Sequence, residues 1–290
     1  MTGPVIAVHG GAGGLGPELR ERTSEYREAL RSALAAGRRE LEAGGGGAVQ
    51  AVCAAVMAME DFPLFNAGHG AALCDDGSVE LSASAMRGSD QAAGGVALVR
   101  RTRHPVAAAV AMLDQPEVLL AGEPADAFAA ARGLEQGDPS QFVTERQRRR
   151  LAARVSGGGA TVGAVCLDAD GLLAAATSTG GLHGQRRGRV GDTPVIGAGT
   201  WADRHVAVSC TGKGEAFVRA GASRLLGALV ASGVALADAA RTVLDAVERC
   251  DGDGGLIAVD ARGQVALPFS TEAMPRGVWR GGEDPVVEVP

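Results

Sequence analysis

Two rhythms of apolar residues alternate along the chain. The apolar run Val5–His9 and the short, mostly apolar segments 79–86, 95–99, 162–168, 172–177, 194–199, 205–210, 256–260 and 264–267 read as strands. Helical spacing separates them. Tyr26, Leu30, Leu34 and Leu41 mark one face of a helix stopped at Gly44 to Gly47, and 48–59 is apolar nearly all round, as a buried helix would be. Further helices are predicted at 105–113, 125–131, 215–230 and 235–249. Leu167-Asp-Ala-Asp-Gly171 and Val259-Asp-Ala-Arg-Gly263 predict one hairpin device used twice, with Asp and Gly as turn residues. The stretch 138–160 is polar, then basic, then glycine-rich, and predicts a flexible linker. Neither half carries a complete alternating pattern. Both are expected to share one α+β domain over 1–290, with sheets inside and helices outside.

Composition narrows the picture. Only 3% of the 290 residues are aromatic while 46% are hydrophobic, so the core must be built of Ala, Val and Leu in closely packed layers. The 44 glycines follow no period, which excludes a collagen-like repeat. A net charge of -6 gives no support for nucleic-acid binding, and the one basic cluster, Arg146 to Arg154, reads as a solvated helix or linker. Cys53, Cys74, Cys166, Cys210 and Cys250 lack metal-ligand spacing and read as buried thiols of a reducing compartment. No signal peptide is expected at the start and no apolar run is long enough for a membrane span, so a cytoplasmic protein is expected.

The chemistry centres on Thr161. It follows Gly157-Gly158-Gly159-Ala160 and opens the apolar run Thr161-Val-Gly-Ala-Val-Cys-Leu-Asp168. A cut between Ala160 and Thr161 would make it a chain terminus whose hydroxyl is the nucleophile and whose α-amine is the base. An α-amine has a pKa of about 8, close to the operating pH a general base requires. Polar groups stand in otherwise apolar surroundings at His9-Gly-Gly-Ala-Gly13, Asn66-Ala-Gly68, Thr177-Ser-Thr-Gly-Gly181, Arg189-Val-Gly-Asp192 and Ser209-Cys-Thr-Gly-Lys-Gly-Glu215. Arg189 and Asp192 suit the α-carboxylate and α-ammonium of an amino acid, or else bridge each other. Thr211-Gly212 offers a hydroxyl and an N–H to an oxyanion, or else caps the next helix.

In order along residues 4–280, His9-Gly-Gly-Ala-Gly13, Phe65-Asn-Ala-Gly-His-Gly70, Thr161-Val-Gly-Ala-Val165, Thr177-Ser-Thr-Gly-Gly181, Gly188-Arg-Val-Gly-Asp-Thr-Pro194 and Ser209–Glu215 resemble the plant-type L-asparaginase / isoaspartyl aminopeptidase family of N-terminal-nucleophile hydrolases. The resemblance implies a four-layer αββα sandwich, cut before Thr161 into an α subunit (1–160) and a β subunit (161–290) that pair as a dimer of αβ heterodimers. It implies Thr161 as nucleophile, with Thr179 hydrogen-bonded to its hydroxyl and Asn66 helping to position it. It implies Arg189 on the substrate carboxylate, Asp192 and the Gly214 carbonyl on its amine, and Thr211 with Gly212 as oxyanion hole. No cofactor is implied for the chemistry. The loop from Met59 to His69 resembles a sodium-binding loop, with main-chain carbonyls of Met59, Glu60, Phe62, Phe65, Ala67 and His69 as ligands. The substrate expected is L-asparagine or a β-aspartyl dipeptide.

The pattern departs from the family's at Ala160, where Gly is usual and a Cβ restricts the backbone strain that self-cleavage needs, at Ser82 and Arg87, where Asp is usual, and near Ser270 and Ala273. The changes at 82 and 87 are expected to alter the structure beside the site or its preference. Competing readings are a glycosylasparaginase-like amidase and an uncut inactive homologue with a binding role. Gly11-Ala-Gly13-Gly-Leu-Gly16 also fits a dinucleotide fingerprint, but the strand that should follow its helix is missing.

Overall fold

The computed structural model describes residues 3–42, 47–153 and 161–289. It opens on strand β1 (Val5–His9), then the short α1 (Pro17–Glu21) and the long α2 (Thr23–Glu42) and α3 (Ala48–Glu60). Next come β2 (Leu81–Arg87), β3 (Ala93–Val99), α4 (Pro105–Ala111), β4 (Leu119–Ala121), α5 (Glu123–Ala131) and α6 (Glu145–Ala152). The second half supplies β5 (Val162–Leu167), β6 (Leu173–Thr179), β7 (Thr200–Ala202), β8 (Val206–Gly212), α7 (Gly214–Ala220), α8 (Ala222–Ala231) and α9 (Leu236–Glu248). The strands β9 (Gly254–Asp260), β10 (Val265–Ala266), β11 (Arg276–Arg280) and β12 (Val286–Glu288) end it.

Eight strands form one sheet in the order β12-β11-β1-β5-β6-β2-β3-β4, and four form a second in the order β10-β9-β8-β7. The larger sheet takes strands from both halves, so neither half completes it alone. Period-two alternation gives each central strand two buried faces. Ile6 and Val8 join Leu30, Leu34, Val52 and Val56 of α2 and α3 in one core. Val5 and Ala7 face Ile257 and Val259 of the smaller sheet in another. Beyond that sheet, Val208, Cys210 and Leu256 pack with Phe217, Leu226 and Val243 of α7, α8 and α9. A Cβ at Gly37 of α2 would stand 2.9 Å from the Ala51 carbonyl of α3 and 2.3 Å from the Ile6 side-chain tip, so the two helices approach closely there and the β1 side chain fills the space a larger residue would need.

Both Asp hairpins form as expected. Asp168 Oδ1 accepts the Asp170 and Leu172 N–H groups, and Asp260 Oδ1 accepts those of Arg262 and Gln264. Four expectations change. Residues 194–199 are successive turns, because Val195 and Ala198 donate to Asp192 and Val195 carbonyls and Gly197 takes φ +89. The helix 215–230 is broken into α7 and α8 by Gly221 in the left-handed region. The described part of 138–160 is folded: Pro139–Phe142 is a 3-10 turn, Thr144 caps α6, and Phe142 and Gln147 are buried. Its basic cluster is also not all solvated, since Arg146 turns inward onto Glu18 at 2.5 and 2.8 Å. Ala160 lies outside the described residues.

The glycine-rich loop after β1 leads to α1, α2 and α3, and β1 is antiparallel to both of its neighbours, β11 and β5. The parallel strand–helix–strand unit of a dinucleotide fold is therefore absent there, and that alternative falls.

Candidate active site

Thr161 stands at the entrance of β5. Gly163 lies opposite Thr177 of β6, so two residues earlier Thr161 is level with Thr179. Thr161 is buried, and its Oγ1 donates to Thr179 Oγ1 at 3.1 Å. Thr179 Oγ1 also accepts the Gly181 N–H at 3.0 Å. Asn66 makes no hydrogen bond to Thr161. Its Nδ2 donates to the Gly181 carbonyl at 2.7 Å, its Oδ1 accepts the Ala72 N–H at 2.6 Å, and its carbonyl accepts the Gly180 N–H at 2.9 Å. Its Nδ2 and main-chain carbonyl hold the turn that follows Thr179, while its Oδ1 holds Ala72, so Asn66 acts on Thr161 through that turn.

Thr161, Thr179, Arg189, Asp192 and Gly212 line one cavity whose free volume, about 10 Å³, is that of a single water. Arg189 and Asp192 do not bridge each other. Arg189 donates from Nε and Nη2 to both carboxylate oxygens of Glu215, at 2.9 and 3.0 Å, and from Nη1 to Gln185 at 3.4 Å. Asp192 is buried, and burial pushes its pKa up to about 6, against the opposing pull of Arg189. Its Oδ2 has no hydrogen-bond partner. A buried carboxylate oxygen without a partner is costly, and a bound ammonium group would satisfy it. Gly214 belongs to the same cluster: a Cβ there would lie 2.7 Å from Asp192 Oδ1 and 3.0 Å from Arg189 Nη2.

The role of Glu215 was missed, although its motif was visible in the sequence. Its carboxylate fixes the guanidinium plane beside Asp192. Glu215→Gln is expected to raise KM for a substrate carrying an α-carboxylate roughly twofold to fivefold, with a smaller change in kcat, the range of a half-exposed ion pair. Steady-state kinetics on the purified variant checks it.

Thr211 does not cap α7. Lys213 holds the cap position, and Thr211 Oγ1 accepts the Ala12 N–H at 3.1 Å while its own proton remains free to donate. Gly212 has φ +146, and a Cβ there would strike the Asp253 carbonyl at 2.3 Å, so only glycine fits.

A second row of polar side chains lies two residues deeper than Thr161, Thr179 and Thr211. In the larger sheet His9, Gly163, Thr177 and Ser84 are in register; in the smaller, Ser209 is opposite Thr200. Hydrogen bonds join them: His9 Nε2 to Ser209 Oγ at 2.9 Å, Ser209 to Thr177 at 2.8 Å, Thr200 to Thr177 at 2.6 Å and Ser84 to Thr200 at 2.8 Å. Ser84 Oγ also lies 2.5 Å from the Thr193 carbonyl, beside Asp192, so its one proton is shared between Thr200 and Thr193. Burial keeps the His9 ring neutral, lowering its pKa to about 3 against the effect of its contact with the Thr161 main chain. This row ties the strand ends of both sheets together. Gly163 leaves it room, since a Cβ there would stand 1.9 Å from Ser209 Oγ and 2.5 Å from His9 Nε2. Gly163→Ala is expected to destabilise the fold by roughly 1–3 kcal/mol through overpacking. Urea unfolding of the variant against the parent checks it.

Ser82 is level with Thr179 across β2 and β6, but Arg87 is at the far end of that pairing, opposite Ala174. Arg87 binds Asp90 and Asp114 on the surface. Ser82 is therefore placed beside the Thr161–Thr179 strand end, and Arg87 is not.

In the Met59–His69 loop, the His69 N–H donates to the Glu60 carbonyl at 2.7 Å. Cβ atoms at Gly68 and Gly70 would meet the Glu60 and Phe65 carbonyls at 2.4 and 2.5 Å, so the loop closes tightly on its own backbone at both glycines. Among the described residues no group of three His, Cys, Asp or Glu side chains could hold a metal. The Glu60 carboxylate accepts from Ser178 Oγ at 2.6 Å, so this loop grips the end of β6 from a second side.

The family model described as Asparaginase matches residues 2–160 and 152–288. The chain is 45% identical to the isoaspartyl peptidase of Escherichia coli K12, over 100% of this chain and 97% of that protein. It is 39% identical to the isoaspartyl peptidase/L-asparaginase of Bos taurus and 38% identical to that of Homo sapiens, each over 97% of this chain and 94% of the relative. With the family model covering nearly the whole length, the chain belongs to the asparaginase family and is a hydrolase. No helix among the described residues is long and apolar enough to cross a membrane.

Proposed function

We propose that this protein hydrolyses the side-chain amide of an aspartyl unit, in L-asparagine or a β-aspartyl dipeptide, through an acyl-enzyme on Thr161. The observation that carries the reading is the buried, unpartnered Asp192 carboxylate oxygen in the same cavity as the Thr161–Thr179 hydroxyl pair. The Asparaginase family match and the names of the relatives support the same chemistry.

The chain is first cut between Ala160 and Thr161, giving subunits 1–160 and 161–290. Asp192 and the Gly214 carbonyl then take the substrate ammonium, and Arg189 its α-carboxylate. The Thr161 hydroxyl attacks the side-chain amide carbon as its proton passes to the new α-amine. Thr179 orients the hydroxyl, while Thr211 Oγ1–H and Gly212 N–H hold the oxyanion. Collapse expels ammonia or an amine, which leaves with the proton from the α-amine. Water then cleaves the ester to release aspartate. The αββα reading of the fold suits this scheme, because the catalytic side chains sit at the strand ends of two facing sheets. A sodium ion would be held by the main-chain carbonyls of the Met59–His69 loop, where it would stiffen the segment that Asn66 and Glu60 clamp to β6. The active form is a pair of αβ units in the cytoplasm.

Purified protein incubated separately with L-asparagine and β-aspartyl-leucine is expected to release aspartate from both, with ammonia or leucine in equal amount. Release of aspartate from neither, by protein already cut at Thr161, would contradict the proposal.

A further inference from the structure

A second cavity, of about 690 Å³, begins where the catalytic one ends, and both share Leu182 and Gly212. Its volume lies within the roughly 300–1,000 Å³ of small-molecule sites. Leu15, Leu19, Tyr26 and Leu64 give it an apolar wall. Beside that wall stand Glu18, Arg146, Arg150 and His183, with Lys213, Asp253 and Glu272 also lining the cavity.

The charges at the first group do not balance. Arg146 takes both Glu18 oxygens at 2.5 and 2.8 Å, which leaves Arg150 a single long contact to Glu18 at 3.5 Å. Arg150 Nε and His183 Nδ1 are buried and have no hydrogen-bond partner. Burial and the neighbouring Arg146 both depress the Arg150 pKa, and burial with Arg150 lowers that of His183 to about 4. The His183 ring is thus neutral at pH 7, with an N–H to donate. A guanidinium held only by one long ion pair, with its Nε unpartnered, and an imidazole with an unpartnered nitrogen therefore line this cavity together with the apolar wall. Glu272, which accepts the Leu15 N–H at 2.7 Å, and Asp253 also carry charge into the cavity, but among the described residues neither forms an ion pair with Arg150. Lys213 Nζ donates to the Asp251 carbonyl.

We infer that this cavity is the leaving-group subsite for a dipeptide, in which Arg150 and His183 receive the C-terminal carboxylate of the residue attached to the β-aspartyl unit. It rests on the amide-hydrolysis reading above and extends it from the aspartyl end to the departing end. The apolar wall takes that residue's side chain. L-Asparagine, whose leaving group is ammonia, has nothing to place there. The subsite therefore favours β-aspartyl dipeptides with an apolar second residue and a free carboxylate.

The test compares kcat/KM for β-aspartyl-leucine, its C-terminal carboxamide and L-asparagine. The free acid is expected to exceed the carboxamide roughly tenfold or more in the parent enzyme, the range of a hydrogen bond to a charged group. Arg150→Gln is expected to remove that advantage while leaving the carboxamide and L-asparagine unchanged, and Arg150→Lys to restore most of it. Equal rates for acid and carboxamide in the parent enzyme overturn the subsite while leaving amide hydrolysis standing. That comparison needs no variant and survives a misfolded one. An equal fall on all three substrates in a folded Arg150→Gln protein also overturns it. Turnover of none of the three by the parent overturns both this inference and the amide-hydrolysis reading.

Discussion

Thr161→Ala is expected to remain a single uncut chain and to lose at least about 10⁴-fold in turnover of L-asparagine and β-aspartyl-leucine, the scale on which a nucleophile's removal is felt. The variant loses the hydroxyl needed for both self-cleavage and substrate attack. Its fold should survive. The bond it gives up, to Thr179 Oγ1 at 3.1 Å, contributes about 1 kcal/mol, and Thr179 keeps the Gly181 N–H. Thr161→Ser, which retains a hydroxyl, should still be cut and keep part of the activity. Denaturing electrophoresis and aspartate release read both effects. An uncut Thr161→Ala chain with substantial turnover would remove Thr161 from the chemistry.

The second large effect is at Asp192, where activity and stability should move in opposite directions. Its carboxyl pKa is raised by burial from 3.8 to about 6. The native state thus holds the proton more tightly than the unfolded chain between those values. The slope of stability with pH is negative there, so stability falls as pH rises from about 4 through 6 and then levels off. The accumulated cost above pH 6 is about 3 kcal/mol, from 2.2 pH units at 1.36 kcal/mol each. Asp192→Asn removes the charge and should recover a good part of that cost, raising the unfolding midpoint at pH 7 to 8 but hardly changing it below pH 4. The same change should lower kcat/KM roughly a hundredfold or more, because the substrate ammonium loses its counter-charge. In the parent, kcat/KM should rise through pH about 6 as Asp192 ionises, and the variant should lack that limb. Thermal unfolding across pH, set beside kinetics, checks both signs. A less stable Asp192→Asn protein at pH 8 would mean that the carboxylate is satisfied in the free enzyme.

Much of this could be read before any coordinates. Most strands announced themselves as short, mostly apolar segments, and the Asp168 and Asp260 hairpins as turn chemistry, since both signals are local. The segment 194–199 misled because Val195 and Ile196 have strand composition, while the Asp192 carbonyl and Gly197 bend the chain into turns. The strands β11 and β12 went unseen because Arg276-Gly-Val-Trp-Arg280 alternates too briefly to stand out. At the site, Thr161, Thr179, Arg189 and Asp192 were legible as polar residues in apolar company and Gly212 through its place after Thr211, and all five line one cavity. What one sequence could not reveal were pairings across the fold. Glu215 holds Arg189 from 26 residues away, and His9 meets Ser209 from 200. The signal for the deeper row was present in the i, i+2 spacing of Thr177-Ser-Thr179 and Ser209-Cys-Thr211, but it needed the sheet register to become a contact.

The most direct test of Thr161 as an amino-terminal nucleophile is the intact mass of fully active enzyme under denaturing conditions. Two polypeptides are expected, ending at Ala160 and beginning at Thr161, whose masses sum to that of the whole chain plus one water. A single unbroken chain in protein that turns over asparagine or β-aspartyl-leucine at full rate would contradict it.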